Sequence, residues 1–316
     1  MKNFFASVIV SAVALYAQGT NVSSTAVDVN GHRVSDAPQV STTKSGNTSD
    51  TIETSQSVNG RTVPLQRIEE RVLRDDASGK VLERTIRNYD MQGNPTTPVK
   101  ETIEEQKRPD GSSTTIATTY RGDINGRMQL AEKSVTELHK SGSEERSEKV
   151  VQRPTINGSL DTVEKQDQVK VIQPNGYRQE ATTYRRNGSG GFYTAVRTVT
   201  DHAQQGSDSS DNTVEYEANP AGTLAMHSQT VTKTVTAANG SKDSVVDIYS
   251  VNVPGTVGAP ESALKLQERQ VIQSQKGPND TVTQTLSVRR PSVSDPNTLG
   301  PLQQLSQTVC TGDCKP

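Results

Sequence analysis

The chain has 316 residues, a formal net charge of -2, 30% hydrophobic and 3% aromatic residues, and no Trp. Globular domains are about 45–50% apolar, so a large close-packed enzyme core is not expected. The near-zero charge lacks the basic footprint of a nucleic-acid binder and the high net charge usual in disordered chains.

The chain opens MKNFFASVIVSAVALYAQG, with Lys2 before an apolar stretch from Phe4 to Tyr16 and small residues at Ala17 and Gly19. That order predicts a secretory signal peptide over 1–19, and with it an exported protein (periplasm, cell surface or secreted). No later stretch is long and apolar enough for a spanning helix, so an integral membrane protein is not expected. Residues 20–40 are polar and read as a flexible leader.

From 41 to 300 the chain repeats. Turn glycines recur at Gly46, Gly79, Gly111, Gly142, Gly176, Gly206, Gly240 and Gly277, and a second set at Gly60, Gly93, Gly126, Gly158, Gly188, Gly222 and Gly255. Two interleaved series with a common period of about 33 residues indicate a repeat array. Tyr89, Tyr120, Tyr184, Tyr216 and Tyr249 precede the second turn, with Val151 in that place in the one repeat without a Tyr. Asn-Gly and Asp-Gly pairs such as Asn125-Gly126, Asn157-Gly158, Asn187-Gly188, Asn239-Gly240 and Asp110-Gly111 are hairpin signals.

Between turns, Thr- and Val-rich segments such as Thr114–Tyr120 and Thr230–Thr236 favour strand over helix. The predicted fold is all-β, a long antiparallel meander of about 14–16 strands built from seven or eight repeats. The strands alternate poorly, with Thr on both faces. An extended or spiralling sheet, wet on both faces and held by cross-strand pairs, fits better than a sandwich. A membrane barrel needs an apolar outer band and aromatic girdles, which three Phe and no Trp do not supply.

Residues 301–316 read as a tail holding Cys310 and Cys314. In an oxidising compartment the two would pair as a local disulfide. A redox pair or half of a metal site are the alternatives.

Pro109-Asp110-Gly111-Ser112-Ser113-Thr114-Thr115 leading to Tyr120, and Tyr89-Asp90-Met91-Gln92-Gly93-Asn94, resemble the YD (RHS-type) repeat over about residues 70–260. The resemblance implies an exported scaffold of long antiparallel sheet and carries no catalytic residues. The period here is longer, and only Tyr89 is followed by Asp.

Motifs for phosphate loops, dinucleotides, zinc proteases and nucleophile elbows do not occur, so no catalytic, cofactor or metal residues are assigned. Asp123-Ile124-Asn125-Gly126 holds part of a calcium-loop pattern, but turn chemistry explains it better. Ser207–Asn212 reads as a solvated loop, and Arg121-Gly122-Asp123 forms an RGD tripeptide beside a turn. The expected role is a non-enzymatic envelope or extracellular scaffold, or an adhesin-like surface. A carbohydrate- or envelope-polymer-binding module is the alternative, with Tyr120, Tyr184, Tyr216 and Tyr249 as candidate ring-stacking residues. No partner is named by the sequence; an envelope polysaccharide or a surface protein suits these readings.

Overall fold

A computed structural model describes residues 21–27, 33–34, 39–45, 49–58, 61–90, 92–123, 125–219, 222–251, 264–278, 281–292 and 298–311. The segment read as a signal peptide, the glycines at 46, 60 and 255, and Cys314 lie outside them.

The described residues form strands and turns, without a helix. The strands are β1 (Asn21–Val27), β2 (Arg33–Val34), β3 (Gln39–Ser45), β4 (Ser49–Val58), β5 (Arg61–Asp76), β6 (Gly79–Asn88) and β7 (Val99–Lys107). Then come β8 (Ser113–Gly122), β9 (Met128–Ser141), β10 (Glu144–Pro154), β11 (Leu160–Gln173), β12 (Gly176–Arg186) and β13 (Phe192–Gln205). The last are β14 (Asp208–Ala218), β15 (Leu224–Thr236), β16 (Lys242–Val251), β17 (Leu264–Lys276), β18 (Val282–Arg289) and β19 (Gln303–Thr311).

From β3 to β19 every strand pairs antiparallel with the next in sequence, giving the expected meander. β1 pairs with β3, Asn21 opposite Ser41, and also with β19, Asn21 opposite Thr311. Its backbone therefore bonds to both terminal members of the ladder and covers hydrogen-bonding groups that edge strands leave bare.

Among the described residues the sheet has 19 strands, where about 14–16 were expected. The difference lies at the two ends. The stretch read as a flexible leader contains β1, β2 and the start of β3, and the stretch read as a tail contains β19. Val22, Thr25 and Val27 give the first of these β-branched character, and antiparallel partners on both sides of β1 complete it. Likewise Ser207–Asn212, read as a loop, is mostly the start of β14.

Among the described residues, seven hairpin loops share one pair of backbone hydrogen bonds spanning five residues: Asp90–Asn94, Arg108–Ser112, Asp123–Arg127, Thr155–Ser159, Asn187–Gly191, Asn219–Thr223 and Ala237–Ser241. In each, the first N–H donates to the fifth carbonyl, and the N–H of a glycine in fourth place donates to the first carbonyl. That glycine has φ between 77° (Gly126) and 89° (Gly190), a region that side-chain-bearing residues avoid. Asp or Asn in first place, as at Asp123 and Asn187, accepts the N–H groups of the third and fifth residues. Where the first residue is Arg108 or Ala237, Asp110 or Asn239 in third place caps instead. These Asn-Gly and Asp-Gly pairs thus serve five-residue loops rather than two-residue turns. At Asn187 the turn glycine is Gly190, not Gly188.

The core is thin. Among the described residues the buried apolar side chains are Val151, Ala195, Val199, Val282, Val288 and Cys310, and Val288 alone is below 2% exposed. Both faces carry charged pairs in mid-strand. On one face Arg197 meets Glu180 at 2.8 Å and Arg269 meets Asp247 at 2.6 Å; on the other Arg84 lies 3.2 Å from Glu70 and 3.4 Å from Glu101. Among the described residues, charged pairs therefore interrupt both faces in mid-strand. Cross-strand pairing, at about 0.2–1 kcal/mol per pair, is the main side-chain contribution such a sheet can make.

Candidate functional site

The tyrosines mark a structural device. At Tyr120, Tyr184, Tyr216 and Tyr249 the pairing register with the following strand shifts by one residue. The extra residue on the partner strand is Ala131, Ala195, His227 or Gln267, each left without an opposite number. These are β-bulges, which bend the strand and increase its twist. The same shift occurs at Thr54/Ser55, Val151/Gln152 and Leu286/Ser287. In the repeat without a Tyr the equivalent position is therefore Gln152. Val151, the substitute that the sequence suggests, faces the other way and is buried, 6% exposed. An error of one residue moves a side chain to the opposite face.

The four tyrosines share one face, as cross-strand registers show. Tyr184 is level with Lys165, Tyr216 with Arg197, Tyr249 with Gln229 and Tyr120 with Lys100, all on the preceding strand. On β12 the level of Tyr216 falls at Thr182, two residues short of Tyr184. On β14 the level of Tyr249 falls at Val214, two residues short of Tyr216. The row therefore climbs diagonally: Tyr184, Tyr216 and Tyr249 stand two strands and two residues apart, about 12 Å from strand spacing and rise, and Tyr120 lies four strands from Tyr184 with Gln152 between them.

Tyr120 is 37% exposed, and the other three are half-buried. Burial, together with the nearby Asp167 carboxylate that accepts its hydrogen bond, pushes the Tyr184 phenol above its usual pKa. Lys165 sits over the Phe192 ring at 4.8 Å. Arg197 and Arg269 are held charged by hydrogen bonds to Glu180 and Asp247. This face thus alternates rings, cations and carboxylates, a composition suited to stacking and hydrogen bonding with a polar ligand.

The opposite face has a groove of about 440 Å³ at the β9–β12 bulges, lined by Glu132, Lys149, Val151, Arg153, Val163, Glu164, Arg185 and Arg186. Two cross-strand pairs bridge it, Arg153–Glu132 at 3.0 Å and Arg185–Glu164 at 3.4 Å. Further along, Glu215, Glu217 and His227 bring three donor atoms within 4.8 Å of one another. The sequence reading missed this cluster, because it depends on His227 standing at a bulge. Aligning the repeats on their tyrosines was the signal that would have found it.

The remaining sequence candidates take structural positions. Asp123 of the RGD tripeptide accepts the N–H groups of Asn125 and Arg127 at 2.8 and 2.9 Å, so its carboxylate caps the loop. The calcium-like pattern at the same residues is this cap. Cys310 is buried on β19 and disulfide-bonded; Cys314 is the other cysteine of the chain and lies outside the described residues. The chain matches no known protein-family model and no curated protein sequence.

Proposed function

We propose that the chain is an exported, non-enzymatic repeat protein that works as a scaffold or adhesin-like surface in the envelope or outside the cell. The observation that carries this reading is a regular sheet with charged, partly exposed pairs on both faces. Such a sheet presents a large area of polar surface and has little interior in which to exclude water from a reaction. The N-terminal segment, with its positive, apolar and small-residue order, supplies the export half of the reading. Fractionation of the source cells with N-terminal sequencing tests it. A mature chain starting after Ala17 or Gly19 in the envelope or medium is the expected result. An uncleaved cytoplasmic chain, or substrate turnover by the purified protein, would sink it.

A second reading rests on the diagonal tyrosine row, in which Tyr184, Tyr216 and Tyr249 would offer regularly spaced rings to an extended polymer, with Tyr120 beyond the gap at Gln152. Its ligand class is a polysaccharide of the cell envelope. Affinity electrophoresis through gels containing such polymers distinguishes the two readings. Retardation that is lost in a Tyr120→Ala, Tyr216→Ala double variant of unchanged circular dichroism favours polymer binding, and equal mobility of both proteins removes it.

A further inference from the structure

On the face opposite the tyrosines, an ion pair stands beside three of the bulges: Arg153–Glu132, Arg185–Glu164 and Arg290–Glu268. The residue after the tyrosine position is Arg121, Arg153, Arg185, Glu217 and Ser250 in successive repeats. Arg153 and Arg185 pair with Glu132 and Glu164, each the residue that follows the unpaired bulge residue. At β13–β15 the pattern inverts. Glu217 stands where Arg is due, and opposite it is Val196 in place of a Glu. On its other side Glu217 faces Ala225. Glu215, two residues back on the same face, lies between Thr198 and Ser228. Neither flanking strand puts a Lys or Arg beside these two carboxylates.

The bulge residue changes as well. It is Ala131, Val163 and Ala195 in the preceding repeats and His227 here. The His227 Nδ1 lies 3.7 Å from the Glu217 carboxylate. The Glu217 repeat therefore has a carboxylate in place of the cation, a second carboxylate at Glu215, and an imidazole whose donor atom lies within 4.8 Å of both.

We propose that Glu215, Glu217 and His227 form a binding site for a divalent transition-metal ion, of which Zn²⁺ is the representative. One imidazole nitrogen and two carboxylate oxygens are donors that Zn²⁺ accepts, with water in the fourth position. The imidazole disfavours Ca²⁺ and Mg²⁺, which take all-oxygen shells. The donor atoms lie within 4.8 Å of one another. A tetrahedral ion with bonds of about 2.0–2.1 Å would draw them to about 3.4 Å, a closure that small rotations of exposed side chains provide. Binding would neutralise the two carboxylates and clip β14 to β15 across the bulge.

Isothermal titration of the purified chain with ZnCl₂ near pH 7.5 tests this. One equivalent should bind, His227→Ala should abolish it, and Glu217→Gln should weaken it by about tenfold or more. His139→Ala, which alters an exposed imidazole elsewhere, should leave it unchanged. In parallel, Zn²⁺ should shift the His227 ring resonances before those of His139 or His202. Absence of binding, or binding that survives His227→Ala with unchanged circular dichroism, overturns the proposal.

Discussion

Arg269 on β17 grips Asp247 on β16 with two prongs, Nε to Oδ1 at 2.6 Å and Nη2 to Oδ2 at 2.8 Å. Asp247 is the more enclosed partner, its side chain 15% exposed against 39% for Arg269. Two parallel hydrogen bonds to one carboxylate are stronger and more directional than a single exposed pair, although water reaches the arginine and screens it. Arg269→Ala should cost about 1 kcal/mol, and Arg269→Lys, which loses the fork, should recover only part of it. A double-mutant cycle with Asp247→Ala in urea is the check. A coupling near zero would mean that the pair contributes nothing.

The loop from Asn187 to Gly191 contains two candidate turn glycines of very different sensitivity. Gly190 has φ 89°, whereas a Cβ on Gly188 would meet nothing within 4 Å and its backbone is outside the positive-φ region. Gly190→Ala should destabilise by about 1–2 kcal/mol and Gly188→Ala by under about 0.5 kcal/mol. Gly176 should be harsher than either, because a Cβ there would lie 1.9 Å from the His202 carbonyl oxygen. Urea midpoints of the three variants give the ranking, and equal losses at 188 and 190 would refute the loop assignment.

Position 152 tests the register directly. Gln152→Tyr places a ring in the row to which Tyr120 and Tyr184 belong, and should change stability by less than about 0.5 kcal/mol. Val151→Tyr forces a ring into a site that is 6% exposed and should cost about 1–3 kcal/mol by overpacking. The opposite order would put the bulge one residue away.

Acid should weaken the hairpins. The Asp76 and Asp110 carboxyls are held below their usual pKa first by the hydroxyls of Ser78 and Ser112, and Asp90 first by the Asn94 N–H. Glu145 is lowered mainly by the hydrogen bond from Lys140, at 2.9 Å. A carboxyl whose folded pKa is depressed stabilises fully above its unfolded pKa, about 3.9 for Asp and 4.3 for Glu. That stability is lost as the pH falls through the folded value. The urea midpoint should therefore hold from pH 7 to about pH 5 and drop below it, with Asp110→Asn losing part of the drop. A midpoint unchanged from pH 7 to 3 would show that the caps contribute nothing.

Much of the fold was legible because hairpin chemistry is local. Gly93, Gly126, Gly158 and Gly222 announced their loops, and the Thr- and Val-rich runs announced strands. The bulges were hidden, since an unpaired Ala131 or Ala195 has no signature without the partner strand. From sequence alone the row position therefore falls on Val151 instead of Gln152. The ends were hidden for a different reason. β1 has little apolar character of its own and depends on β3 and β19, which are remote in sequence or separated by polar chain. Of the candidate site, the tyrosine spacing was readable, but their common face required the register. The Glu215–Glu217–His227 cluster required register and bulge together.

The five-residue loops also set a chemical clock. In a free chain, Asn followed by Gly is prone to deamidation, because the glycine nitrogen can attack the asparagine side chain and close a succinimide. At Asn125, Asn157 and Asn239 that nitrogen belongs to Gly126, Gly158 and Gly240, and it is donated to the carbonyl at the head of the loop at 2.9, 2.9 and 2.8 Å. Ring closure then has to wait for the loop to open. Isoaspartate accumulating unevenly at the three sites during storage would record, hairpin by hairpin, how often each end of the sheet comes undone.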